Sequence, residues 1–440
     1  MFAIHSNQTI IGNEVRDATV VIKDGHIADI LDGMPDMGIE IIDAGNKVLM
    51  AGIIDPHVHI NEPGRTEWEG FDTATKAAIA GGITCLVEMP LNASPVTTTV
   101  NAFDKKITAA SGKLHTNCGF WGGVVPGNEH DIVPLIEKGV LGFKAFLTHS
   151  GIDEFPNVTE QDLRRVMPVI SHYGLPLLVH CELDDGQEHP AAVNTSYQAY
   201  LASRPSEWED RAIALMIRLC EESKCRTHIV HLSSSNSLEP IRRAKERGIP
   251  LTVETAQHYL YFTAESISEG QTQFKCAPPI REKENNEKLW QGLKDGIIDF
   301  VATDHSPAPP ALKAMDSGDF NKAWGGISSI QFALPALWTG AKNRHCSLPE
   351  ISRWLCSQTA ILAGLAMKGK IEKGSDADLV VWDPSACFNV TKDIIMHKHS
   401  ITPYLGEQLY GIAEQTYLGG VKVFDRGDFV LDKGRVILGK

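Results

Sequence analysis

The stretch Gly52–Leu91, GIIDPHVHINEPGRTEWEGFDTATKAAIAGGITCLVEMPL, decides how the chain is read. It opens as a strand. Ile53 and Ile54 are β-branched, and His57 and His59 flank Val58. Residues i and i+2 of a strand share a face, so both imidazoles can reach one metal ion. Pro63-Gly64 then signals a loop. A helix is expected over Trp68–Ala80 and a second strand over Thr84–Pro90. A His-x-His at a strand end, followed by a loop and a helix, fits the place where barrel enzymes build their sites. Alone, the pair is a weak signal, since two strand histidines can be incidental.

Beyond this stretch the same alternation continues. Apolar strand candidates are VLMAGIIDPHVHI, TCLVEMP, HTNCGFWGGVV, GFKAFL, LPLLVHCE, THIVHLSS, PLTVETAQ and IIDFVATD. Between the fifth and sixth lies an amphipathic helix with Ala212, Leu215, Met216 and Leu219 on one face. Near-continuous apolar strands separated by helices indicate a parallel sheet covered on both sides. Eight such units over about 300 residues predict an α/β fold, a (β/α)8 TIM-type barrel. The ends differ. Residues 1–50 read as short strands with turns at Gly12-Asn13 and Asp24-Gly25. After Gly369 strand and turn signals return. The expectation is a barrel over 51–369 and a small β-sandwich domain composed of 1–50 and 370–440.

Composition narrows the classes. The chain has 440 residues, 43% hydrophobic and 22% charged, with a formal net charge of −14. That balance argues against nucleic acid or an anionic membrane as partner, since both need a basic face. No apolar run is long enough for a membrane span. The start, MFAIHSNQTIIGNEV, lacks a secretory pattern, and the end, Val-Ile-Leu-Gly-Lys, is not a peroxisomal address. The nine cysteines are odd in number and scattered, which fits reduced thiols. An intracellular, cytoplasmic protein is expected.

Metal-binding residue types recur at the C-terminal ends of the predicted strands. These are His57 and His59 on the first, Lys144 on the fourth, His180 on the fifth, His231 on the sixth and Asp304 on the eighth. Imidazole and carboxylate suit zinc and its first-row neighbours. Lys144 stands among Phe143, Ala145, Phe146 and Leu147, where an unpaired ammonium is costly. A salt bridge or a lowered pKa would relieve it. So would carbamylation by CO2, which makes an anion able to bridge two cations, and the surrounding histidines favour that bridge. His228, His258 and His305 read as supporting histidines, Cys181 and Cys276 as plain barrel residues, and Trp68, Trp121 and Trp324 as packing groups.

The motifs His57-Val58-His59, Gly142-Phe143-Lys144, Val179-His180-Cys181-Glu182, His231-Leu232-Ser233-Ser234 and Thr303-Asp304-His305-Ser306-Pro307 resemble those of the cyclic amidohydrolases. That group of the amidohydrolase superfamily includes dihydroorotases, hydantoinases and allantoinases. The resemblance covers the whole chain and implies two divalent ions per chain, with zinc favoured. It places one metal on His57, His59 and Asp304, the other on His180 and His231, and a carbamate on Lys144 between them. It also implies a homo-oligomer, a tetramer by analogy.

Within the group, HINEPGRTEWEGF, VEMPLNASP, FKCAPPIRE and KAWGGI resemble allantoinase stretches. The implied small-molecule substrate is allantoin, opened to allantoate in purine degradation by hydroxide formed on the two metals. Asp304 would act as the catalytic proton carrier. Dihydroorotase and hydantoinase or dihydropyrimidinase are the alternatives. Dihydroorotases carry Arg, Asn and His where this chain has Asn61, Ala277 and Ala308, so the bidentate partner for a carboxylate is missing. A non-catalytic assembly role is disfavoured by the complete ligand set. Asn61, Asn92, Cys276, Gly325 and Gly326 are the candidate substrate contacts, Asn61 on the premise that the first strand runs on past His59.

Overall fold

The run Val48–Ile60, expected to be one strand, divides at Gly52. Val48–Ala51 pairs antiparallel with Leu379–Trp382, whereas Ile53–Val58 pairs parallel with Ile83–Glu88. A Cβ at Gly52 would lie 2.2 Å from the Thr84 side chain, so only glycine lets the chain pass there. The computed structural model describes residues 1–36, 38–184, 186, 194–430 and 433–439.

The barrel strands are, in order, Ile53–Val58, Ile83–Glu88, Asn117–Phe120 continued by Gly122–Gly123, Phe143–Phe146, Pro176–His180, Arg226–Ile229, Leu251–Ala256 and Phe300–Ala302. Every pairing between neighbours is parallel. The ring closes through a bridge between Val58 and His305, with His59 N donating to His305 O at 2.8 Å. These strands coincide with the eight apolar runs, because a strand covered on both faces must be apolar throughout. They are shorter than the runs, so His59, His231 and Asp304 stand just past strand ends, at the rim.

The first barrel helix is Phe71–Ala80, three residues shorter at its start than expected. Trp68 stays in a turn, and Gly70, at φ 113, redirects the chain into the helix. Helix Ser206–Ser223 buries Ala212, Ile213, Met216 and Leu219 against the barrel, with Leu215 half-buried.

The two chain ends form the small β-sandwich unit. Its hydrogen bonds run through Phe2–Ile11, Glu14–Lys23, His26–Asp32 and Val48–Ala51 into Leu379–Asn389, Gln408–Leu418 and Val421–Asp425. The turns at Gly12-Asn13 and Asp24-Gly25 fall where expected. Register shifts between Ser6 and Thr9 and between Asp383 and Cys387 let the long strands bend. Among the described residues no helix is long and apolar enough to cross a membrane.

Candidate active site

A cavity of about 500 Å³ opens over the C-terminal rim of the barrel. His57, His59, His180, His231 and Asp304 all line it. Potential ligand atoms of His57, His59 and Asp304 lie within 4.8 Å of one another. Asp304 Oδ1 is 3.1 Å from His57 Nε2 and 3.6 Å from His59 Nε2. The His180 and His231 rings are 4.6 Å apart, and the His57 and His231 rings 5.4 Å. Asp304 and His231 both adopt left-handed backbone, at φ 45 and 38, which turns their side chains back over the barrel mouth.

Lys144 is fully buried within the fourth strand, and its Nζ has no hydrogen-bond partner among the described residues. It sits 4.9 Å above the Phe146 ring. Burial pushes its pKa down to about 8. Burial likewise pushes His59 down to about 4 and holds His231 well below the usual imidazole range. Burial opposes charge on His57 too, but Asp304 and Glu254 outweigh it and raise that ring to about 9. Imidazoles and a carboxylate that converge beside an orphaned buried amine are donor chemistry suited to a divalent cation. The residues present fit one.

The supporting residues are Glu254, which meets His57 Nδ1, and Glu182, 2.7 Å from His180 Nε2. Arg204 in turn pairs with Glu182. His228 bonds Thr252 and Glu254, and His305 Nδ1 accepts from Ser329 N at 3.0 Å, as supporting histidines do. His258 is buried with neither ring nitrogen partnered among the described residues. Trp121 is core, with Nε1 donating to Pro56 O at 2.8 Å. Trp324 packs edge-on against Trp68 and also lines the cavity, beyond its expected role.

Of the candidate substrate contacts, Asn92, Cys276, Gly325 and Gly326 line the cavity. Asn61 is not among the lining residues. The premise that put it there is corrected: the strand ends at Val58, and Asn61 is left-handed at φ 67, which breaks the alternation of faces. Its Nδ2 turns instead to Pro307 O at 3.3 Å. Gly326 is already committed, its N–H to Lys275 O and its carbonyl to Lys313 Nζ. A Cβ at Gly325 would meet nothing within 4 Å among the described residues, so this is the open position of the two. Sequence reading missed Phe146, His149, Tyr200, Arg204, Lys275 and Phe320 in the wall. Most of these come from helices and loops, where no strand period marks them. Glu254 did carry a signal, a lone carboxylate inside an apolar strand.

Residues 48–420 match the amidohydrolase family. The chain belongs to that family. An amidohydrolase is a hydrolase, and the family together with the His57–His59–Asp304 cluster implies a divalent metal centre. The amidohydrolase chain is 46% identical over 440 residues to an allantoinase of Streptomyces avermitilis, covering 99% of this chain and 98% of that one. It is 40% identical over 446 residues to an allantoinase of Saccharomyces cerevisiae, covering 97% and 96%. Among solved structures, the L-hydantoinase (dihydropyrimidinase) from Arthrobacter aurescens superposes with a TM-score of 0.93 at 29% identity, covering 100% of both chains.

Proposed function

We propose that this amidohydrolase opens the hydantoin ring amide of allantoin to give allantoate. The observation that carries the reading is the cluster of His57, His59 and Asp304 at the floor of a cavity of about 500 Å³. Support for allantoin over other cyclic amides comes from full-length similarity to allantoinases at 40–46% identity, against 29% for the hydantoinase.

His57, His59 and Asp304 would hold one divalent ion, and His180 and His231 a second, with zinc the metal that suits these donors best. Lys144 would stand between them as a carbamate: its neutral amine adds CO2, one N–C bond forms, and one proton is released. The unpartnered Nζ supports that assignment, since a carbamate replaces an orphaned donor with acceptor oxygens. Bound ions would supply a Lewis acid for the ring carbonyl and ease ionisation of the attacking water.

The chain's own residues do the rest. Asp304 presents Oδ1 to His57 and His59, and its second carboxylate oxygen takes the proton from water and returns it to the leaving ring nitrogen. Asn92 and the open backbone of Gly325 offer neutral donors and acceptors that match ureido groups. Phe146, Tyr200, Phe320 and Trp324 exclude water from the walls. A homo-oligomer remains part of this reading, and sedimentation of the purified chain measures it.

The test is steady-state turnover of allantoin, dihydroorotate and hydantoin by protein made with zinc and bicarbonate. The expected result is two ions per chain and the highest kcat/KM on allantoin. A higher kcat/KM on either of the others rejects the substrate and leaves the metal centre standing. Folded protein that takes up no metal rejects both.

A further inference from the structure

Glu254 sits in the seventh barrel strand, Leu251–Ala256, and is fully buried. It does not line the cavity, so it cannot touch substrate. A buried carboxylate is costly unless donors meet it. Three do. Oε1 is met by His57 Nδ1 and lies 3.3 Å from His231 N, and Oε2 lies 3.1 Å from His228 Nε2. His228 is itself held on its far side, Nδ1 standing 2.8 Å from Thr252 Oγ1.

A carboxylate can only accept, so His57 carries a proton on Nδ1. Nε2 instead faces Asp304 Oδ1 at 3.1 Å, within the cluster shared with His59, so a cation bound there would displace its proton and take Nε2. The same carboxylate oxygen takes the N–H of His231 at the left-handed residue that turns this ring into the cavity. One side chain thus fixes groups from the first and sixth strands, which hold histidines assigned to different metals.

We propose that Glu254 is the positioning residue of the metal centre, fixing the tautomer of His57 and the backbone of His231 through one carboxylate. The proposal rests on the metal-centre reading above. Partners of this kind set ligand orientation and basicity, and losing one typically weakens metal binding about 10- to 100-fold.

The test is zinc affinity by chelator competition in wild type, Glu254→Ala and Glu254→Gln, each checked for folding by circular dichroism. Glu254→Ala is expected to lose about 10- to 100-fold in zinc affinity. Glu254→Gln keeps the shape and one acceptor oxygen, so it should fall between, and with excess zinc its KM for allantoin should match wild type. Folded variants with wild-type zinc affinity overturn the proposal. If Glu254→Ala does not fold, Glu254→Gln decides. A second readout needs no metal: ¹⁵N resonances of His57 in metal-free wild type, recorded in alkali where the ring is neutral, should show the proton on Nδ1. A proton on Nε2 alone overturns the proposal. Wild-type protein that binds no zinc would sink the metal-centre reading, and the tautomer would still be decided by the nitrogen spectrum.

Discussion

The side-chain amide nitrogen of Asn92 lies 3.4 Å from His59 Nδ1, while the buried amide oxygen has no partner among the described residues. A His59 that gives Nε2 to a cation keeps its proton on Nδ1 and needs an acceptor there. A half-turn of the Asn92 amide supplies one and frees the NH2 group for the cavity that Asn92 lines. Asn92 would therefore serve ligand and substrate together. Asn92→Leu should lower kcat/KM for allantoin about two- to tenfold for each neutral hydrogen bond lost. Asn92→Asp should keep zinc affinity, because it still accepts, but raise KM. Kinetics alongside zinc titration measure both, and an unaltered KM in both variants would remove Asn92 from substrate binding.

Lys144 yields a chemical prediction. Its Nζ is buried and has no hydrogen-bond partner among the described residues, so Lys144→Ala removes no hydrogen bond seen there. The variant should fold yet turn over allantoin far more slowly. Short carboxylic acids with added zinc should restore part of the rate by occupying the vacated space with an anion. Mass spectrometry of the gently handled native protein should find the added CO2. Active, zinc-loaded protein with an unmodified amine would end this assignment.

Lys313 braces the cavity wall. It is buried and its Nζ donates to Trp324 O at 2.9 Å and Gly326 O at 2.8 Å, reaching toward Lys275 O at 3.5 Å. Both segments line the cavity. Lys313→Met keeps the stem and removes the donors, and each carbonyl left buried and unpaired costs about 1–3 kcal/mol. The variant should melt earlier and show a raised KM, with zinc content intact. A lowered Tm with unchanged KM would make Lys313 a purely structural brace.

The barrel was legible because its physics is repetitive. Strands covered on both faces must be apolar, and His57, Lys144 and His180 break that rule where the site is. The division at Gly52 was not legible. Val48–Ile60 is one apolar run, and only the partners, Leu379–Trp382 on one side and Ile83–Glu88 on the other, show that it serves two sheets. Asn61 misled for a related reason: strand alternation says nothing about the residue at which a chain turns left-handed. Tyr200 and Phe320, whose rings stack 5.7 Å apart in the wall, lie far apart in sequence and have no shared pattern to find.

A final prediction concerns the end of the barrel away from the site. Asp378 ties three elements together there. Its Oδ1 accepts from Gly419 N at 2.7 Å, its Oδ2 is 3.4 Å from Asn117 Nδ2 on the third barrel strand, and its carbonyl accepts from Gly52 N at 2.8 Å. Lys368, itself buried, bonds Asp378 and also reaches Asp376 at 2.8 Å. Burial works against charge on Lys368, but Asp378, Cys85 and Asp376 together outweigh it and raise the ammonium above its ordinary 10.5. A raised value means that the stabilisation is complete below 10.5 and fades as pH climbs through the folded-state value. Lys368→Met takes the shared cation from two carboxylates, and breaking a buried pair from one side costs about 3–5 kcal/mol. Denaturant unfolding at neutral pH should show a loss of that order, and the gap between wild type and variant should narrow in strong alkali. Turnover of the folded variant should equal wild type, because none of these residues lines the cavity. Equal stability at neutral pH, or a gap that does not change with alkali, would show that the ion pair does not hold the small sheet to the barrel.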